Sequence, residues 1–91
     1  MDSEAWKPLV GHVVVVDTDS PFVYIGTLLR VEDHFVVLEK VDAHDRNEST
    51  STKEQYIMEA KRFGVNANRK EVSVRKDKVV SVSKLDDVIT Y

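Results

Sequence analysis

The stretch Val72-Ser73-Val74-Arg75-Lys76-Asp77-Lys78-Val79-Val80-Ser81-Val82 decides how this chain is read. Its valines mark two short strands, because β-branched side chains suit a pleated, half-buried surface. The four charged residues 75–78 between them mark a turn. A second stretch gives this reading its context: Gly26-Thr27-Leu28, running on to Asp33-His34-Phe35-Val36-Val37-Leu38. The two stretches together predict a small β-barrel.

Working outward, residues 13–16 are four consecutive valines, too short a run for a helix. They do not alternate with polar residues, so both faces of that strand should be covered. Asp17-Thr18-Asp19-Ser20-Pro21 is turn chemistry throughout. Residues 22–31 form a second strand, long enough to need a bend, and Gly26 sits where the bend is expected. Glu32-Asp33-His34 is a tight polar connection, and residues 35–41 form a third strand. Residues 42–52 contain no Val, Leu, Ile or aromatic residue and read as a flexible loop. A helix then starts with Thr52 or Ser51 as its cap. Tyr56, Ile57, Ala60 and Phe63 fall on one apolar stripe, and Gly64 stands in the position expected of a helix-terminating residue. A strand over residues 55–62 is the rival reading. Near the N-terminus, Ser3 caps a short helical turn that ends before Pro8, leaving Trp6 and Leu9 to pack on the domain. Five short strands with tight turns predict a mainly β chain, a small barrel or sandwich. A short helix precedes the strands, and an insert at about residues 42–69 separates strands three and four.

Composition narrows the function. The chain has 91 residues, enough for one domain, and no cysteine, so disulfide frameworks and thiolate metal sites are excluded. Its apolar runs are far shorter than the ~20 residues that span a bilayer. The N-terminus lacks the apolar core of a signal peptide, and a soluble cytoplasmic protein without membrane partners is expected. The formal net charge is −3, but it is unevenly spread. Residues 61–78 hold seven Lys or Arg against two acids, a segment able to attract a phosphate backbone. A plain solvated surface is the simpler reading of such a run.

At this point the chain resembles the Sm-like family, five-stranded, strongly bent SH3-like barrels that assemble into rings. The first family signature is matched by Leu9-x-Gly11, the 13–16 strand, Gly26-x-Leu28 and an acidic turn. The second is matched by Val74-Arg75-Lys76-Asp77-Lys78-Val79-Val80. Asp33-His34-Phe35-Val36-Val37-Leu38 is similar to the bacterial branch, the Hfq RNA chaperones. The resemblance implies that the fourth strand of one subunit pairs with the fifth of the next, so Val72 and Val74 would meet Val80 and Val82 of a neighbour in a homo-oligomeric ring of five to eight copies. Alternatively, the two strands pair within one chain as a hairpin. The resemblance also implies single-stranded RNA binding, with a base stacked between the two turns. Here the residues are Asp33, His34 and Phe35 on one side, and Arg75 and Lys76 on the other.

The sequence departs from the family pattern at informative places. Val36 stands where the eukaryotic pattern has Asn, His34 replaces the bacterial Gln, Lys76 replaces a Gly, and Asp77 brings an acid to a phosphate-facing turn. These changes leave the fold expectation intact and remove the usual base-reading groups. A protein-interaction scaffold that has lost RNA binding is therefore the second expectation. Phe35 also reads simply as the first core residue of its strand. No feature points to an enzyme: no catalytic residues, cofactor site or phosphate-binding Gly loop can be identified. His12, His34 and His44 lack a second His at helical spacing, so no metal site is expected.

Overall fold

The computed structural model describes residues 3–48 and 52–89. Helix α1 (Ser3–Trp6) runs into a 3-10 turn (Lys7–Leu9). Strands β1 (Val13–Thr18), β2 (Phe22–Val31) and β3 (Phe35–Asp45) follow. After a 3-10 turn (Arg46–Glu48) come helix α2 (Lys53–Phe63) and strand β4 (Arg69–Arg75). A 3-10 turn (Lys76–Lys78) leads to β5 (Val79–Lys84), and a last 3-10 turn spans Leu85–Asp87. No helix among the described residues is long and apolar enough to cross a membrane.

All strand pairings are antiparallel, in the order β4-β3-β2-β1-β5. Strands β4 and β5 are thus not a hairpin. They lie on opposite edges of the sheet, and β5 pairs with β1, Val16 opposite Val82. Only residues 76–78 connect those two edges. Four Cα–Cα steps reach at most ~14 Å. The sheet must therefore curl until its edges nearly meet, which makes it the bent barrel the sequence predicts.

Two features of the chain produce the curl. Opposite Gly26, β3 carries one extra residue: Ile25 pairs with Asp42 and Thr27 with Glu39. Lys40 takes up that residue at φ 52°, in the left-handed region that non-glycine residues rarely adopt. A Cβ on Gly26 would sit 3.0 Å from both the Glu39 carbonyl oxygen and Val41 Cγ2, so only glycine permits this close approach.

The curled sheet encloses a core of Trp6, Val14, Val16, Leu28, Val36, Leu38, Val41 and Val74. Trp6 is fully buried, so α1 plugs the barrel with its one large side chain. A second cluster lies on the other face, where Val15, Val23 and Ile25 meet Ala60 of α2 and Leu85. Val14 and Val16 are buried on one face and Val15 on the other, with Val13 half-buried beside it, as the run's lack of alternation required.

Helix α2 begins as predicted. Thr52 Oγ1 accepts from the Gln55 amide (3.1 Å), and Gln55 Oε1 accepts from the Thr52 amide (3.1 Å), a reciprocal cap that excludes the strand reading. Gly64 ends it at φ 91°, its amide donating to Ala60 O. Lys53 reaches from the first turn to Asp17 of β1, and Lys61 Nζ donates to Asp86 O (2.6 Å), so both ends of α2 are tied to the barrel.

Three expectations need correction or fall outside the structure. Residues 42–45 are strand, not loop, because β2 extends past the bend and offers them a partner (Phe22 opposite Asp45). Phe63 leaves the apolar stripe: it is 82 % exposed at the end of α2, while Tyr56, Ile57 and Ala60 pack on the second core. The alternative cap Ser51 lies outside the described residues, as does the side chain of Ser3.

Candidate nucleic-acid interface

The two turns singled out in the sequence meet at one end of the barrel. The β2–β3 turn is closed by the Glu32 amide donating to Phe35 O (2.8 Å). Phe35 is the register partner of Arg75 across the β3–β4 ladder. One further bond carries the ladder into the loops, the Lys76 amide donating to His34 O (2.9 Å). The other end of the charged turn is held as well, with Lys78 O accepting from the Asp19 amide (2.7 Å). Backbone hydrogen bonds from two different loops therefore fix the turn that carries Arg75, Lys76 and Asp77. Side chains on it need little further ordering to receive a ligand.

An open cleft of about 260 Å³ lies between the turns, lined by Asp33, His34, Arg75, Lys76 and Asp77. Four of the five residues predicted for the site thus line one cavity. The fifth, Phe35, does not line it and is 37 % exposed at the start of β3. Asp77 is the addition, and its role differs from simple repulsion. Its Oδ2 accepts from Arg75 Nη2 at 2.8 Å, with both side chains exposed. An exposed pair of this kind is worth ~0–1 kcal/mol, so an incoming anion or base can compete for the guanidinium. Asp33 and Asp77 balance Arg75 and Lys76 in charge, and His34 adds a planar ring. Arg75 also lines a neighbouring cavity of about 280 Å³ with Tyr24, Thr18, Ser20 and Lys78, at the mouth left between the β4 and β5 ends. There the Thr18 hydroxyl donates to Phe22 O (2.8 Å) and shares a hydrogen bond with Ser20 Oγ (2.6 Å).

The four residues expected at a subunit interface lie on the two edge strands. Val74 is buried in the chain's own core, and Val72 and Val82 pack against it. Val80 is the odd residue of a β5 irregularity, where Asp17 pairs with Ser81 and Thr18 with Val79, and it is 65 % exposed. Among the described residues no group of three His, Asp or Glu side chains is placed to hold a metal ion.

Sequence reasoning did not anticipate the contact between His44 and Tyr56, whose rings stack at 3.8 Å between centroids. The sequence places His44 in a loop, and a stacking partner on β3 becomes visible only once β3 extends to Asp45.

No family model and no curated protein matches the chain. Among solved structures, it is similar to an Sm protein of Pyrococcus abyssii in complex with a uridine heptamer. The match has a TM-score of 0.61 and 17 % identity, and covers 92 % of this chain and 97 % of that one. At that identity the likeness is one of fold.

Proposed function

We propose that this chain, which has the Sm fold, is a non-catalytic module that binds single-stranded RNA in the cleft between the β2–β3 and β4–β5 turns. The observation that carries the reading is the convergence of His34, Arg75 and Lys76 on one cleft whose backbone is hydrogen-bonded from both sides. An imidazole ring and a guanidinium plane can hold a base between them, and a lysine ammonium can meet the adjoining phosphate. The similar solved protein, bound to a uridine heptamer, is consistent with that use of the fold. Asp77 acts as a brake, since RNA must displace its carboxylate from Arg75. Asp77→Ser is therefore expected to tighten binding of a short single-stranded RNA about two- to fivefold, the equivalent of the ~0–1 kcal/mol of an exposed ion pair plus the lost repulsion. Fluorescence anisotropy with labelled RNA checks this. Unchanged or weaker binding would show that Arg75 is not the group the RNA meets.

The same proposal includes assembly. Strands β4 and β5 are unpaired edges of one sheet, and open edges invite pairing with another chain. Joining β4 of one copy to β5 of the next is a head-to-tail contact that closes into a ring if the rotation permits. The contact would run through backbone groups, since Val72, Val74 and Val82 are occupied by their own core. Val74→Asp would thus damage the fold along with any interface. Val80 is the better probe: Val80→Lys puts a charge on an exposed edge without touching either core. The variant is expected to sediment as a smaller species than the parent with an unchanged circular dichroism spectrum. Equal sedimentation of parent and variant would argue against the edge contact.

A second reading, a protein-interaction scaffold without RNA binding, is favoured by one observation: the two carboxylates in the cleft balance its two bases. It predicts that Asp77→Ser remains unable to bind RNA even at low salt.

A further inference from the structure

A separate cavity lies at the far end of α2. It holds about 210 Å³ and is lined by Asp42, Tyr56, Glu59, Ala60, Phe63, Gly64 and Asn66. Its chemistry is opposite to that of the first cleft. Asp42 and Glu59 are its only charged lining residues, and neither carboxylate forms an ion pair among the described residues. Asp42 accepts a long hydrogen bond from Asn68 Nδ2 at 3.4 Å and lies beside the Tyr56 hydroxyl. The wall also contains two aromatic rings. Tyr56 is fixed by its stack on His44, and its buried hydroxyl is turned toward the Asp42 carboxylate. Burial, and after it the hydrogen bond and charge of Asp42, push the Tyr56 pKa up, so the phenol stays neutral. Phe63, outside the packed stripe of α2, is 82 % exposed.

The end of α2 adds to this polarity. The last carbonyls of an α-helix are the negative end of its dipole, and they favour a cation nearby. The two bases of that last turn are Lys61 and Arg62. Lys61 is turned away, bonded to Asp86, and neither lines the cavity.

We infer that this cavity is a binding site for an arginine side chain presented by a basic protein segment. Carboxylates, ring faces and a helix C-terminus all attract a cation. A guanidinium suits the set better than an ammonium, since it stacks flat on a ring while pairing with a carboxylate through two parallel N–H groups. Size also selects: the cavity is below the ~300–1,000 Å³ of pockets that take drug-sized ligands, which leaves room for one side chain. The acidic lining repels phosphate, so this site and the RNA cleft would serve different partners. Phe35 and Asp42 lie about 23 Å apart along bent β3, by the ~3.3 Å rise of a strand residue. The inference stands independently of RNA binding.

The test uses the whole chain, labelled with ¹⁵N, and the peptide acetyl-Ala-Arg-Ala-amide. Its counterparts with Gln or Lys in place of Arg, and spermidine, are the comparisons. The Arg peptide is expected to move the amide signals of Glu59, Phe63, Gly64 and Asn66, saturating in the millimolar range. The Lys peptide should bind more weakly and the Gln peptide not at all. Phe63→Ala and Glu59→Gln alter exposed side chains and should leave the rest of the spectrum unchanged. Each is expected to weaken the Arg peptide about two- to fivefold, the fold-change of an exposed cation–π contact for Phe63 and of an exposed ion pair for Glu59. Added salt should weaken the parent more than Glu59→Gln. The inference is overturned by any of four results: no saturable shifts, shifts at His34 and Arg75 instead, parent-like affinity in both variants, or spermidine binding as tightly as the Arg peptide.

Discussion

Trp6→Ala is expected to remove about 3–5 kcal/mol of folding stability, the cost of truncating a large buried aromatic. The indole is fully buried against residues from β1, β2, β3 and β4, so the cavity left behind is walled by the sheet and cannot easily collapse. A chain of this length holds ~5–14 kcal/mol in total at ~0.05–0.15 kcal/mol per residue, so the loss is a large share of what there is. Trp6 Nε1 is buried without a hydrogen-bond partner among the described residues, so packing is the contribution this prediction rests on. Trp6→Phe should therefore cost much less, because it keeps most of the apolar volume and removes the unpaired donor. Urea titrations of parent and both variants check the pair. A loss below ~1 kcal/mol for Trp6→Ala, the size of an average surface effect, would mean that α1 is not part of the core.

Arg75→Ala is expected to weaken single-stranded RNA binding by about 5- to 150-fold, from the ~1–3 kcal/mol that one stacked base contributes. It should also lower the slope of log affinity against log salt by about one phosphate contact. Arg75 is exposed and, among the described residues, its guanidinium pairs with Asp77, so folding stability should stay within ~0.5 kcal/mol of the parent. Arg75→Lys separates the two contributions. It keeps the charge and loses the planar stack, and should restore the salt slope but not the affinity. Equal affinity in Arg75→Ala would remove this residue from the site.

Much of the fold could be read from local sequence because its determinants are local. The four valines at 13–16, the turn residues 17–21, Gly26 in a long strand, and the Thr52/Gln55 cap each dictate their own geometry. What escaped the reading depends on contacts between distant residues. Nothing in Asp42-Ala43-His44-Asp45 favours a strand, and it forms one because β2 continues beyond the bend. The exposure of Phe63 depends on where the barrel surface ends beneath α2, which periodicity along a helix cannot report. Whether β4 and β5 paired with each other was also open in the sequence. The answer lies with β1, which takes β5 as its second partner.

The candidate site was legible to the extent that two turns were. Asp33, His34, Arg75 and Lys76 come together because the β3–β4 ladder sets Phe35 opposite Arg75 and so places the flanking loops side by side. Asp77 was read as an obstacle to phosphate, and the structure adds that its carboxylate is bound to Arg75. The second cavity had no sequence signal at all. Asp42, Tyr56 and Asn66 are brought together only when α2 folds back onto the extended β3.

The measurement that bears most directly on the central claim is a salt series of binding to short fluorescent U-rich and A-rich RNAs, with light scattering on the same samples. The RNA reading predicts micromolar or tighter binding that weakens steadily as salt rises, on an assembly several times the mass of one chain. An assembly of that size with no RNA binding even at low salt would contradict it and leave the protein scaffold as the function of this fold.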